Sequence, residues 1–327
     1  MAREWQMRSH PVGQLRADDF ILVEKVLPPL AEGQVRIRNT WLSIDPSVRW
    51  RMDRSASIKP LGLGEVPPAP TIGRVVESRS PRFGVGSMVS YHGGWCDEAV
   101  VEAEQPDSLP SIDAPPQAFL GQLGLPGLTA YVGLIDIAGV RAGDIVFISA
   151  AAGAVGLAAV QIAKTLGATV IGSAGGAEKM AILRDFGADE VIDYKAPGAL
   201  AEKLNKAAPR GIDVYFDNVG GDHFDAALQA ARPNARFSIC GTVSEYNDDR
   251  FNYQHLRRLI SATITARGFR IGEHMERQAD FYRDAAGWVA TGRFRTLETV
   301  REGLEQVPDA LRDLLAGLNR GKMIVKI

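Results

Sequence analysis

The sequence predicts an α/β protein: a Rossmann-type doubly wound parallel sheet in one domain, joined to a β-rich second domain. Three observations carry that prediction. From about residue 116 onward, short apolar runs alternate with helix-patterned stretches, as parallel strands joined by crossover helices require. Six such runs occur, which matches two mononucleotide-binding halves. Before residue 115 the chain instead offers short β-favouring runs between Pro and Gly clusters, a pattern of compact barrels and sandwiches.

The early strands are expected at 20–26, 35–42, 71–77, 88–91 and 97–102. Turns at Pro28-Pro29, Gly62-Leu63-Gly64 and Gly93-Gly94 separate them. The later strands are expected at 145–149, 168–173, 190–193, 213–217, 236–240 and 262–269. Helices fit 155–166, 177–186, 199–207 and 221–231, and a further one fits 278–290. Gly167, Gly187 and Gly211 stand where helices should stop, because glycine reaches positive φ freely. A last strand at 322–327 closes a tail too short to form a domain, so the tail is expected to return to the first one.

The glycine turn lies at 149-SAAAGAVG-156, between the first strand of the six and its helix. A dinucleotide turn needs the backbone to approach a pyrophosphate closely, which suits Gly153 in the middle position. It needs a small residue where helix meets strand, which suits Gly156, and its amides and helix dipole face the phosphates. The first position is Ala151, which serves if its φ stays negative. The alternative is a packing turn of small residues with no ligand. The position of this turn, after the first strand of an alternating series, favours the cofactor reading.

Cofactor choice is read about 20 residues further on, where NAD sites usually place Asp or Glu on the ribose. Here the second strand ends Gly172-Ser173-Ala174-Gly175-Gly176, with no carboxylate to repel a 2′-phosphate. Lys179 follows, and Tyr194 ends the next strand. NADPH is therefore expected. A charge-assisted hydrogen bond of roughly 1.5–3 kcal/mol favours it over NADH by about ten- to a hundredfold. On spacing alone, Lys179 reads equally well as a solvated helix residue.

The remaining composition excludes other classes. The chain has 327 residues, 46% of them apolar and 23% charged, ordinary for a globular protein of about two domains. Its formal charge of −2 provides no basic field for nucleic acid or an anionic membrane. Two cysteines, Cys96 and Cys240, make no disulfide framework and fit a reducing compartment. No signal-peptide core and no membrane-length apolar run occur, so a cytoplasmic location is expected.

Several segments together resemble one family: 124-GLPGLTAYVGL-134, 149-SAAAGAVG-156, 172-GSAGGAEK-179, 215-YFDNVGG-221, 240-CGTVSEYN-247 and 319-NRGKMIVKI-327. They are similar to the medium-chain dehydrogenase/reductase superfamily over nearly the whole chain. Within it they resemble the zinc-independent alkenal/one branch of prostaglandin, plant double-bond and bacterial curcumin reductases. The resemblance implies a GroES-like catalytic domain at 1–115 and 289–327, a Rossmann domain at 116–288, and a cleft site at the carboxyl ends of the parallel strands.

It also implies roles. Ala152, Gly153, Ala154 and Val155 would meet the pyrophosphate of NADPH, Lys179 and Tyr194 the adenosine phosphate, and Asn218 the ribose. Cys240, Gly241, Thr242, Val243, Ser244, Phe269, Arg270 and Asn319 would approach the nicotinamide side. Read without the resemblance, Asn218 simply makes a turn with Gly220-Gly221, and Phe269 is a core residue. The family reaction is reduction of the C=C bond of α,β-unsaturated ketones and aldehydes, with hydride delivered to the β-carbon. Charge then develops on the carbonyl oxygen as an enolate. Tyr246 matches the family tyrosine and, with the cofactor ribose hydroxyl, would donate to that oxygen, each donor giving roughly 3–4 kcal/mol by analogy with oxyanion holes. Otherwise Tyr246 is an aromatic packing on a loop.

No metal is expected, because the early loop 41-WLSIDPSVRWRM-52 holds no cysteine and no His/Cys cluster occurs elsewhere. Relatives often carry D-P-Y-M-R where this chain has Asp45-Pro46-Ser47-Val48-Arg49. Ser47 thus replaces an aromatic wall and a phenol of the substrate pocket, which implies a roomier pocket. A quinone reductase of the same superfamily and a dinucleotide-binding protein without turnover are the competing readings. A homodimer is expected through residues 262–269 as an edge strand.

Overall fold

The protein is described from a computed structural model covering residues 1–53, 60–245 and 252–327. The chain divides into two units, Met1–Leu120 with Glu298–Ile327, and Gly121–Leu297. The first stretch carries β1 (Ala2–Met7), β2 (Phe20–Lys25), β3 (Gln34–Ser43), the short helix α1 (Ser47–Arg51), β4 (Thr71–Ser78), β5 (Met88–Tyr91), β6 (Glu98–Glu102) and β7 (Asp107–Ser108). The second unit begins with α2 (Leu125–Val132), which runs into a π-helical turn (Gly133–Ile137). It continues with β8 (Ile145–Ile148), α3 (Ala154–Thr165), β9 (Thr169–Ala174), α4 (Ala177–Asp185), β10 (Glu190–Asp193), α5 (Leu200–Ala207) and β11 (Ile212–Asp217). It closes with α6 (Gly221–Ala230), β12 (Ala231–Ile239), α7 (Arg258–Ser261), β13 (Thr265–Gly268) and α8 (Gln278–Ala290). The tail adds β14 (Glu298–Glu302), α9 (Val307–Leu315) and β15 (Lys322–Lys326).

The second unit is the doubly wound sheet. Its strands are all parallel, in the order β10-β9-β8-β11-β12-β13. The chain winds outward from β8 on one side and then returns to build the other side from β11. Ligands of such sheets bind where that reversal leaves a crevice, beyond the carboxyl ends of the first strands. The central strands are continuous apolar runs, as burial on both faces demands. Val146, Phe147, Ile148, Val214, Tyr215 and Phe216 are all at 0% exposure. Phe147 stacks on Tyr215 at 5.2 Å, and Tyr215 meets Phe237 edge-on at 5.3 Å, so aromatic rings fill this core.

In the first unit β3 is the hub. It pairs antiparallel with β4, β6 and β15, and β14 adds in parallel beyond β15. The tail therefore completes a sheet begun nearly three hundred residues earlier, with Ile324 opposite Ser43. β1 and β2 form a separate antiparallel pair, with Met7 opposite Phe20. β1 has no clean alternation in sequence because Arg3 and Glu4 interrupt it. The structure accommodates Glu4 by burying it to 5% exposure against Lys25.

The last parallel strand is shorter than its apolar run. Residues 258–261 coil into α7, and Thr263 turns with φ of 50° before β13 begins. Arg258 holds α7 in place by donating to the carbonyls of Leu228 in α6 and Ala231 at the start of β12. No helix among the described residues is long and apolar enough to cross a membrane.

Candidate functional site

The site grows from the ends of β8 and β11. β8 delivers a buried Ser149. Ala150 then takes φ of 45°, a left-handed conformation that glycine adopts more cheaply. The sharp turn thus falls on Ala150, one residue before the expected Ala151. Ala151 stays out of the positive-φ region, and its N–H donates to the Ser173 carbonyl on β9 at 2.8 Å. Ala152 is buried, and Gly153 is extended at φ −84°, ψ 179° ahead of α3. No side chain caps α3, so the first-turn amides of Ala154 and Val155 are left for a partner from outside the helix.

The two glycines of the turn differ. A Cβ on Gly156 would lie 2.4 Å from the Ala150 carbonyl oxygen and 2.5 Å from Ala151 Cα, so this glycine lets helix and turn touch. A Cβ on Gly153 would meet nothing nearer than the Ala150 oxygen at 3.3 Å. The protein itself leaves the space over Gly153 open. A backbone concavity at an uncapped helix N-terminus fits a pyrophosphate.

Asp217, at the end of β11, organises the next layer. Its Oδ1 accepts from Tyr215 Oη at 2.6 Å, Ser149 Oγ at 3.1 Å, Val219 N at 2.8 Å and Gly220 N at 2.9 Å. Burial drives the Asp217 pKa up, and these donors oppose the rise. Ser149 Oγ in turn accepts the Asn218 N–H at 2.8 Å, and Asn218 Nδ2 donates to the Ser149 carbonyl at 2.7 Å. Asn218 Oδ1 accepts the Cys240 thiol at 3.2 Å. Burial and the nearby Asp217 carboxylate push that thiol well above its ordinary pKa. The loop after β12 is stitched to the same turn. Cys240 and Gly241 donate their N–H groups to Asp217 O, Val243 to Asn218 O, and Ser244 to Val219 O. Thr242 is half-buried between them. Asn218 and residues 240–244 are thereby gathered against one strand end.

A second cluster forms at the ends of β9 and β10. Gly176, with φ of 93°, opens α4, and its N–H donates to Asp193 Oδ1 at 3.1 Å. Lys179 lies half-exposed in the first turn of α4. Tyr194 N donates to the Ala174 carbonyl at 3.2 Å, and the residue is 42% exposed. Lys195 was not singled out from the sequence. Its stem lies across Gly175, where a Cβ would meet it at 2.9 Å, and its amine is 6.0 Å from the Tyr194 ring centre. Adjacency to Tyr194 was the available signal. His223 and Asp217 were also missed. Nothing local marks His223, because its neighbours come from other elements.

The remaining expected residues are more scattered. Phe269 leaves β13 with its N–H on the Ile239 carbonyl, and its ring packs near Gly133 of the π-helical turn. Arg270 is exposed and faces Glu273 at 3.5 Å. In the other unit, Asn319 is buried and its Nδ2 donates to the Gly321 carbonyl at 2.8 Å. Ser47 is exposed at the start of α1, on a loop held by Asp45, which accepts from the buried Lys322 at 2.5 Å. Tyr246 lies outside the described residues. Among the described residues no group of three or more His, Cys, Asp or Glu side chains is placed to hold a metal.

Known proteins resemble this chain in sequence and fold. Residues 3–109 match the family model described as the N-terminal domain of oxidoreductase, and residues 154–290 match the one described as zinc-binding dehydrogenase. Prostaglandin reductase 1 of Bos taurus is 38% identical over 99% of both chains. The NADPH-dependent curcumin reductase of Escherichia coli is 36% identical over 99% of this chain and 96% of its own. The structure of CurA from Vibrio vulnificus, solved with NADPH, superposes with a TM-score of 0.93 at 38% identity, over 99% of this chain and 98% of that one.

Proposed function

The chain belongs to the zinc-independent reductase branch of the medium-chain dehydrogenase/reductase superfamily, and on that premise we propose that it is an NADPH-dependent reductase of the C=C bond of α,β-unsaturated ketones and aldehydes. The observation that carries the cofactor reading is the open backbone at Gly153 beside the uncapped start of α3. Ala152, Gly153, Ala154 and Val155 take the pyrophosphate. Lys179, Tyr194 and Lys195 take the adenosine 2′-phosphate, with the nearby Asp193 carboxylate occupied by the N–H groups of Gly176 and Lys195. Asn218 is oriented through both ends of its amide and takes the ribose. Cys240, Gly241, Thr242, Val243, Ser244, Phe269, Arg270 and Asn319 approach the nicotinamide side.

When bound, NADPH supplies a hydride to the β-carbon of the enone. The protein's part is to stabilise the charge that develops on the carbonyl oxygen. Tyr246 donates its hydroxyl to that oxygen, and solvent protonates the α-carbon. Asn218 and residues 240–244 are held against the end of β11. Ser47 is exposed at the start of α1 and brings no aromatic ring there, and bulky enones are the substrates expected. The active form is a homodimer built through β13.

The test follows cofactor absorbance as a linear enone, an enal or a quinone is added with NADPH or NADH. NADPH loss with enones, NADH loss at least tenfold slower, and a product heavier by two hydrogens are expected. Tyr246→Phe should lower kcat by about 10²–10³-fold, the effect of removing one oxyanion donor. Consumption with quinones alone would identify a quinone reductase instead. Binding without consumption would sink the reductase reading.

A further inference from the structure

A column of rings runs from the core of the parallel sheet to the surface beside Tyr194. Tyr215 on β11 stacks on Phe147 of β8 at 5.2 Å, and Phe147 faces His223 of α6 at 6.4 Å with planes 10° apart. His223 then meets the Tyr194 ring edge-on, at 5.3 Å and 72°. Tyr215, Phe147 and His223 are buried, and only Tyr194 emerges. His223 is pinned from a third side, since its Nε2 lies 2.9 Å from Ser173 Oγ on β9. The carbonyl of that same Ser173 receives the Ala151 N–H of the glycine turn.

Nothing in nucleotide chemistry needs a histidine at this depth. A buried imidazole is costly unless hydrogen-bonded, and burial lowers the His223 pKa to about 4. It is therefore uncharged at neutral pH and does not attract phosphate by charge. What it supplies is shape. An exposed tyrosine has two free side-chain torsions, and a fixed edge-on ring beneath it selects one orientation. The exposed face of that tyrosine and the Lys195 amine near it lie at the ends of β9 and β10, where the Asp193 carboxylate is taken up by the N–H groups of Gly176 and Lys195.

We propose that His223 is a positioning residue for the cofactor's adenosine phosphate: held by Ser173 and Phe147, its ring sets Tyr194 so that the 2′-phosphate end is bound and NADPH is preferred over NADH. The inference rests on the reading above that Tyr194 lies against the adenosine phosphate.

Equilibrium titration with NADPH, NADH and 2′,5′-ADP tests it on the whole protein without any turnover. His223→Leu keeps the volume and removes the aromatic edge. It should weaken NADPH and 2′,5′-ADP by about five- to tenfold, the worth of one aromatic pair, and NADH by less than about twofold. His223→Phe restores the edge and should bring NADPH back to within about twofold of wild type. Should the leucine variant not fold, Ser173→Ala frees the ring while keeping it, and should weaken 2′,5′-ADP about threefold. Unchanged 2′,5′-ADP affinity in the folded variant, or equal loss for NADPH and NADH, would overturn the proposal. Tyr194→Ala separates the two claims. If it leaves 2′,5′-ADP binding intact, the adenosine-site reading itself fails. If it weakens binding while His223→Leu does not, only the positioning role fails.

Discussion

Gly153 and Gly156 stand three residues apart in one turn and answer to different physics. Gly156 is required by the protein, since an added Cβ would sit 2.4 Å from the Ala150 oxygen. Gly156→Ala should cost about 1–3 kcal/mol, as overpacking does, and show as a lowered melting temperature. Gly153 is required by what lies outside the chain. Gly153→Ala should hold stability within about 0.5 kcal/mol, because its φ and ψ suit any residue, while NADPH affinity falls at least tenfold. Equal loss of stability in both variants would refute the distinction. His223 gives a residue-scale pH effect. The unfolded chain takes up a proton near its ordinary value of 6.5, and the folded chain only near about 4. Protons in that interval therefore favour unfolding. Its contribution to stability is intact above pH 6.5, falls as pH drops to about 4, and then levels, by about 3 kcal/mol at most. Thermal unfolding of wild type and His223→Phe at pH 7 and pH 4.5 checks this, with the smaller acid-side loss expected in the variant. Both glycines of the turn were legible in the sequence, because they follow a strand and open a helix. His223 was not, because Ser173, Phe147 and Tyr194 reach it from three different strand ends.

Among the elements, β13 is the open edge of the parallel sheet, and its four residues are exposed. Phe269 N donates inward to Ile239 of β12. By the alternation of a strand, the N–H groups of Ala266 and Gly268 then face away from the sheet, free to pair with another strand. The segment leading into it exposes Ile260 at 85%. Ala266→Pro removes only an outward N–H. Sedimentation should find wild type dimeric and this variant monomeric with an unchanged circular dichroism spectrum; a monomeric wild type would refute the edge pairing. Strand β10 lies at the expected residues, Glu190–Asp193, because apolar period and flanking turns agree there. α9 (Val307–Leu315) was not read from the sequence. Its buried face, Val307, Ala310 and Leu311, packs in the core of the first unit, yet charged residues interleave it over only nine positions. The π-helical turn after α2 was likewise unreadable. A Cβ at Gly133 would meet Phe216, Phe269 and Ser238, partners far away in the chain.

For the whole molecule, chain reversal is the organising fact. The second unit is inserted between the strands of the first, and β15 returns to β3. Among the described residues neither unit has a metal-ligand cluster, and the proposed enone reduction should continue at an unchanged rate after prolonged chelator treatment; a loss restored by zinc would contradict this. By itself the sequence determined the fold class, the strand and helix alternation, and the glycine turn. These are set by neighbours within a few residues, through apolar period and the backbone freedom of glycine. It also determined the family, through motifs spread over its length. Only the tertiary structure decided which polar groups meet. Four donors converge on Asp217 Oδ1, the strain of the turn falls on Ala150 rather than Ala151, and His223 lies beneath Tyr194. Those contacts join residues from separate strand ends, and sheet order and register, which no local pattern encodes, bring them together.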